Sequence, residues 1–229
     1  MLSRKRPRVS SATGTWKPRK KARVINRAFG SSGVRSGGWR GVPGRRGELK
    51  YVDVISQSTF AEAGNVLLLN GLVPGTGASQ RVGKKVLIKT IQLRGAIGAG
   101  NVGATPFRGF CRVMWIYDKQ SNAAAPTVAN ILENVTGSSY MNMDNRDRFV
   151  VLADKQYAID QSGGNESAQI KMYKKCNLTT IFNAGTAGTI ADITSGSIYL
   201  LWICENANAA DETTSPDFRL YSRIRYDDS

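Results

Sequence analysis

The sequence predicts an all-β fold, an antiparallel sandwich or barrel, carried behind a disordered basic N-terminal arm. Three observations predict it: charge is split between two parts of the chain, short β-rich runs fill the second part, and helical spacing occurs at one place. Residues 1–50 hold 15 Lys or Arg and a single acid, Glu48, for a formal charge of +14. The full chain of 229 residues has 32 basic and 17 acidic residues, so the other 179 carry only +1. A segment so charged cannot bury a core of its own, whereas the remainder, 51–229, suits one ordinary domain.

The arm has two textures. Arg4, Lys5, Arg6 and Arg8 surround Pro7, and Lys17, Arg19, Lys20, Lys21 and Arg23 surround Pro18. Proline disfavours helix and adjacent like charges repel, so this stretch is expected to be disordered when free. After Arg27 the text becomes glycine-rich, with Arg35, Arg40, Arg45 and Arg46 spaced along a tether. Clusters this dense bind phosphates by counterion release, and they also have the composition of nuclear import signals. Trp16, Phe29 and Trp39 are interleaved with them. They either stack on unpaired bases or pack against protein.

From Tyr51 the runs follow one another in order. YVDVISQSTF opens at 51–60, and KVLIKTIQLRGAIG follows at 85–98, where Ile91, Leu93 and Ile97 alternate with Gln92, Arg94 and Ala96. In 109–118, Cys111, Val113, Trp115 and Tyr117 share a face with Arg112 on the other. Runs at 148–157 and 168–176, a weaker pair at 178–182 and 189–193, and 196–204 come next. The last, 217–226, sets Phe218, Leu220, Ile224 and Tyr226 against Arg219, Arg223 and Arg225. These make eight or nine strands. The one helical pattern is at 127–135, where Val128, Ile131, Leu132 and Val135 recur at helical spacing inside a long connection. No tandem repeat appears, so the class is a sandwich or barrel rather than a propeller or solenoid. The polar loops 119–127 and 205–216 are expected at the outer surface.

Composition narrows the function. Histidine is absent, which removes the usual general base and the commonest metal ligand. Cys111, Cys176 and Cys204 lie in or at the end of hydrophobic runs and are expected as buried free thiols. No apolar run approaches the length of a spanning helix, and the basic N-terminus lacks the apolar core of a secretory signal. Gly98 to Gly103 spell GxGxxG, but no helix pattern follows, so a turn is expected there. The acids of 142–147 lack the spacing of a calcium loop and are expected to be solvated charges pairing with Arg146 and Arg148. No catalytic set, metal or cofactor is indicated. Lys84, Lys85, Lys171, Lys174, Lys175, Arg219, Arg223 and Arg225 either form a solvent-facing side or face a polyanion.

Four segments carry a resemblance: Arg81 to Ile91 (RVGKKVLIKTI), Met114 to Asp118 with Pro126 following, Asn145 to Leu152 (NRDRFVVL), and Arg223 to Ser229 (RIRYDDS). In this order they resemble segments of the capsid proteins of small circular single-stranded DNA viruses, the geminivirus and circovirus group, and geminivirus coat proteins most. The chain departs from that pattern in lacking histidine and in having a shorter arm, so no zinc site carries over. The resemblance implies a single eight-stranded antiparallel jelly roll over 51–229 and a small icosahedral shell of about sixty copies. It also implies an internal arm that binds single-stranded DNA largely without regard to sequence, entry into the host nucleus through the import machinery, and residence in the virion. The nucleic-acid-binding residues expected from all this are the arm cations named above with Trp16 and Trp39, and, on the domain, Lys84, Lys85, Arg219, Arg223 and Arg225. A coating protein that closes no shell, a capsid of a small RNA or satellite virus, and an enzyme with a basic tail are the other classes considered.

Overall fold

The computed structural model describes residues 49–98, 106–206 and 215–228. Nine strands follow one another: β1 (Lys50–Thr59), β2 (Asn65–Leu68), β3 (Lys85–Gly98), β4 (Arg108–Asp118), β5 (Phe149–Asp160), β6 (Ser167–Phe182), β7 (Ile193–Ser195), β8 (Ser197–Asn206) and β9 (Asp217–Asp227). They form two sheets, ordered β1-β9-β3-β6-β7 and β2-β8-β4-β5. Every pairing is antiparallel. The chain changes sheet from β1 to β2, β2 to β3, β3 to β4, β5 to β6, β7 to β8 and β8 to β9. That is an eight-stranded jelly roll with β7 as a three-residue addition at one edge.

Alternation makes the core. On β9, Phe218, Leu220, Ile224 and Tyr226 are buried while Arg219, Tyr221, Arg223 and Arg225 are exposed. They meet Ile91, Leu93 and Ile97 of β3, Ile170 and Met172 of β6, and Cys111, Val113, Trp115, Leu200 and Trp202 of the other sheet. Phe60 and Trp202 both set their rings edge-on to Phe218, with centroids 5.0 and 5.1 Å away. On β3 the alternation slips by one residue at a bulge between Ile88 and Thr90, which keeps both halves of the strand facing the core. Gly95 has no room for a side chain, because a Cβ there would lie 2.1 Å from the Arg219 carbonyl oxygen of β9.

The two sheets differ on their outer faces. The connection from β4 to β5 folds across the four-stranded sheet and forms a second apolar cluster, Val128, Ile131 and Leu132 against Met114, Ile116, Phe149, Tyr199, Leu201 and Ile203. Arg112, on the outer side of β4, fastens it: Nη1 donates to the carbonyls of Gly137 and Ser139, while Nε and Nη2 donate to Asp154 at 2.9 and 2.6 Å. β8 is therefore buried on both sides from Ser197 to Cys204. The outer side of the five-stranded sheet has no such cover among the described residues.

Several expectations change. The helix α1 covers only Val128–Ile131; Leu132 leaves it to bridge Met141, and Val135 is exposed. The runs at 168–176 and 178–182 are one strand, β6, and 189–193 is mainly a 3-10 turn, Ile190–Asp192, leading into β7. Arg148 pairs with Asp118 on β4, not with the loop acids. Lys119, Gln120 and Asn122 are exposed as expected, but Ser121 is buried and hydrogen-bonded to Ser197. Cys111 and Cys204 are buried and unpaired, and Cys176 is half-buried. Lys50, counted with the arm by charge, is the first residue of β1. The expected disorder of residues 1–48, the turn within 99–103 and the tip of the 205–216 loop lie outside the described residues.

Candidate nucleic-acid interface

The uncovered face is a grid set by strand register. Four outward rows cross β1, β9, β3 and β6: Tyr51–Arg225–Thr90–Lys175, Asp53–Arg223–Gln92–Tyr173, Ile55–Tyr221–Arg94–Lys171 and Gln57–Arg219–Ala96–Gln169. Six of these side chains are cationic and one, Asp53, is acidic. Coulomb repulsion among six cations on one sheet face is a cost that a polyanion relieves.

The partners of these cations differ. Arg223 donates from Nε and Nη2 to the two oxygens of Asp53 at 2.7 and 2.6 Å, with its guanidinium 4.8 Å from the Tyr51 ring centre. Arg219 donates twice to the Gln57 amide oxygen and keeps its charge uncompensated. Arg94, Arg225, Lys171 and Lys175 have no hydrogen-bond or ion-pair partner among the described residues. Two shallow concavities run along β9. One of about 490 Å³ is lined by Asp53, Gln92, Arg94, Tyr221, Arg223 and Arg225, and one of about 560 Å³ by Gln57, Ala96 and Arg219 among others.

Of the residues expected to bind nucleic acid, Arg219, Arg223 and Arg225 lie together on this face. Lys85 begins β3 and is exposed opposite Ile181, and Lys84 is exposed just before it. Lys174 is different: it turns inward opposite Ile91 and donates to the Leu152 carbonyl of β5. Arg94, Tyr51, Tyr173 and Tyr221 also belong to the grid, beyond the residues the sequence leads one to expect there. The arm residues Arg4, Lys5, Arg6, Arg8, Lys17, Arg19, Lys20, Lys21, Arg23, Arg27, Arg35, Arg40, Arg45 and Arg46, with Trp16 and Trp39, lie outside the described residues.

The start of β1 is tied down at one end of this face. Lys50 stands opposite Tyr226, and its Nζ donates to Asp228 Oδ2 at 3.0 Å; the Val82 N–H donates to the same oxygen at 2.7 Å. Both ends of the domain are thus tied to the segment that carries Lys84 and Lys85.

Jelly rolls serve as viral capsid domains, lectins and cupins. A sheet face this rich in unneutralised Arg and Lys, in a chain with a cationic N-terminal segment, fits the capsid member of that group: the class is a viral coat protein, a structural protein and not an enzyme. The model of the Geminivirus coat protein/nuclear export factor BR1 family matches residues 4–229, and the chain belongs to that family.

Relatives agree with that class. The chain is 24% identical over 172 residues to the capsid protein of Cabbage leaf curl virus (isolate Jamaica) and, equally, to that of Tomato mottle virus (isolate Florida), covering 72% of this chain and 68% of each relative. The capsid protein of Bean golden yellow mosaic virus (isolate Puerto Rico-Japan) is 22% identical over 173 residues, with the same coverage. Among solved structures, Desmodium yellow mottle tymovirus aligns over 80% of this chain and 90% of its own, at 9% identity and a TM-score of 0.34. Merkel cell polyomavirus VP1 aligns over 81% and 96%, at 9% identity and a TM-score of 0.27.

Proposed function

We propose that this chain is the shell-forming subunit of a small icosahedral capsid that packages a single-stranded DNA genome through its basic arm and the cationic sheet face. The observation that carries the reading is the distribution of charge. The arm supplies +14 of the net +15, and six of the 17 Lys and Arg of residues 51–229 share one sheet face that no other described residue covers. Both halves suit a phosphate backbone, whose contacts carry no sequence information of their own. About sixty copies of an arm of charge +14 bring roughly 840 positive charges inside a shell, a large share of what a genome of one to two kilobases requires. The arm clusters also serve as the import signal that takes the subunit to the host nucleus for assembly, and the mature subunit resides in the virion. The domains in this reading are 1–50, the arm, and 51–229, the shell.

The test is size-exclusion chromatography and negative-stain electron microscopy of the purified full chain, with the absorbance ratio at 260 and 280 nm. Closed, uniform particles that contain nucleic acid are expected, and deletion of residues 1–48 should empty them. Beads or filaments formed only when nucleic acid is added would mean a coating protein in place of a shell.

A further inference from the structure

The uncovered sheet face carries aromatic rings as well as charge, and charge attraction alone does not account for them. Tyr173 is 54% exposed and Tyr221 is 48% exposed, although both sit mid-strand in a sheet whose other face is packed. Exposed tyrosines in such positions leave apolar ring surface in water. Each ring is flanked along its strand by cations, Lys171 and Lys175 around Tyr173, Arg219 and Arg223 around Tyr221.

We propose that this face is a stacking platform for unpaired nucleotides, with one base on Tyr173, another on Tyr221, and the intervening phosphates on Arg94 and its neighbours. The proposal rests on the packaging reading above and adds to it a structured site outside the arm. Register places the two rings on β6 and β9 with β3 between them and one outward row apart. That separation is about 12 Å by ordinary strand spacings. Arg94 faces Tyr221 across one ladder and Lys171 across the other, and Gln92 faces Tyr173. A free guanidinium and an amide thus lie on the path between the two rings. The concavity lined by Arg94, Tyr221 and Arg223 gives that path relief into which a base or sugar can settle.

The chemistry selects single strands. An exposed ring can stack only on a base whose own face is free, and in a duplex both faces are covered by neighbouring pairs. A duplex would meet the cations and not the rings. A second copy of the same face is a poor occupant, since six cations would oppose six. An acidic protein surface would satisfy the charges but gives no reason for flat rings spaced between them.

Two measurements test this on the full chain. The first is ultraviolet crosslinking of nucleic-acid-filled particles followed by peptide mass spectrometry; nucleotide adducts are expected on the peptides of Tyr173 and Tyr221. The second is fluorescence anisotropy with a short oligothymidylate and a duplex of equal charge, on unassembled protein. Tyr173→Thr with Tyr221→Thr keeps strand-forming residues in place. It should weaken single-strand binding by about tenfold per tyrosine, with the salt slope and duplex binding unchanged. Tyr→Phe at both positions should bind as the parent does. Equal losses for duplex and single strand, or no loss, overturn the proposal. Adducts confined to the arm of filled particles overturn the platform and leave packaging intact. A folded Thr variant that binds oligothymidylate normally but builds no particles makes the face a subunit contact, and that also overturns it.

Discussion

Arg148 holds the carboxylate of Asp118 with two hydrogen bonds, Nε to Oδ1 at 2.9 Å and Nη2 to Oδ2 at 2.8 Å, and the Asp118 side chain is fully buried. The same guanidinium lies 4.7 Å from the Phe149 ring centre. Asp118 ends β4 and Arg148 precedes β5, so the pair closes the base of the long connection that covers the four-stranded sheet. Arg148→Ala leaves a carboxylate with no counter-ion inside the protein and should destabilise the domain by about 3–5 kcal/mol. Arg148→Lys restores charge without the paired geometry and should recover only part. Denaturant unfolding of unassembled protein measures both. A loss within error for the Ala variant would show that solvent reaches Asp118.

The cysteines should be unreactive in the native domain. Burial pushes the Cys111 thiol far up, reinforced by its ladder neighbour Cys204. Burial, with Glu62 nearby, pushes Cys204 up to about 12. The thiolate is the reactive species, so at mildly alkaline pH neither should alkylate. Cys176 is half-buried, and its raised thiol, shifted mainly by burial and offset in part by Lys174, should react slowly. Iodoacetamide labelling should therefore modify at most one cysteine in folded protein and all three in denaturant. Rapid labelling of Cys111 would mean that β4 and β8 part readily.

How far these features were legible in the sequence depends on wetting. β3 and β9 have one dry and one wet face, so period-two alternation marked them clearly, to the residue in the case of β3. β2 is four residues with three apolar in succession, which no period identifies. The helical spacing at 127–135 reflected burial of Val128, Ile131 and Leu132 over β8, achieved by one turn and a bridge instead of a full helix. Charge alone groups Lys174 with its neighbours, yet Ile170 and Met172 fix its parity as inward. Arg94, Tyr173 and Tyr221 escaped the expected site because β9, β3 and β6 are adjacent in space and distant in sequence. Only the strand order brings them onto one surface.

At the root of the arm, stability should depend on acid. Burial raises Asp228, but the Val82 N–H and the Lys50 ammonium lower it by more, so its carboxyl sits below the usual aspartate value. A folded value below the unfolded one means stabilisation that is complete at neutral pH and is lost as the pH falls through the folded value. Asp228→Asn should cost about 1 kcal/mol or less at neutral pH, since the site is partly solvated. The variant and parent should converge in stability at strongly acidic pH. A constant difference between them down to that range would remove the carboxylate from the account.

Asp53 is the one acid in the cationic grid, and its effect on binding should be opposite to its effect on folding. Its pair with Arg223 is well formed but open to water on both sides, with side chains 41% and 45% exposed, so it contributes little to the fold. In binding, however, Asp53 neutralises a cation that would otherwise release a counter-ion on meeting a phosphate. Asp53→Asn keeps the shape, removes the negative charge and frees Arg223. The melting temperature should stay unchanged, single-strand affinity should rise, and the slope of log K against log salt should steepen by about 0.7 for the one added phosphate contact. Arg94→Gln should flatten that slope by a similar amount, because Arg94 has no partner to give up. Titrations of the two variants and the parent at several salt concentrations decide the matter. If all three slopes coincide, the bound strand is held by the arm alone and the sheet face takes no phosphate.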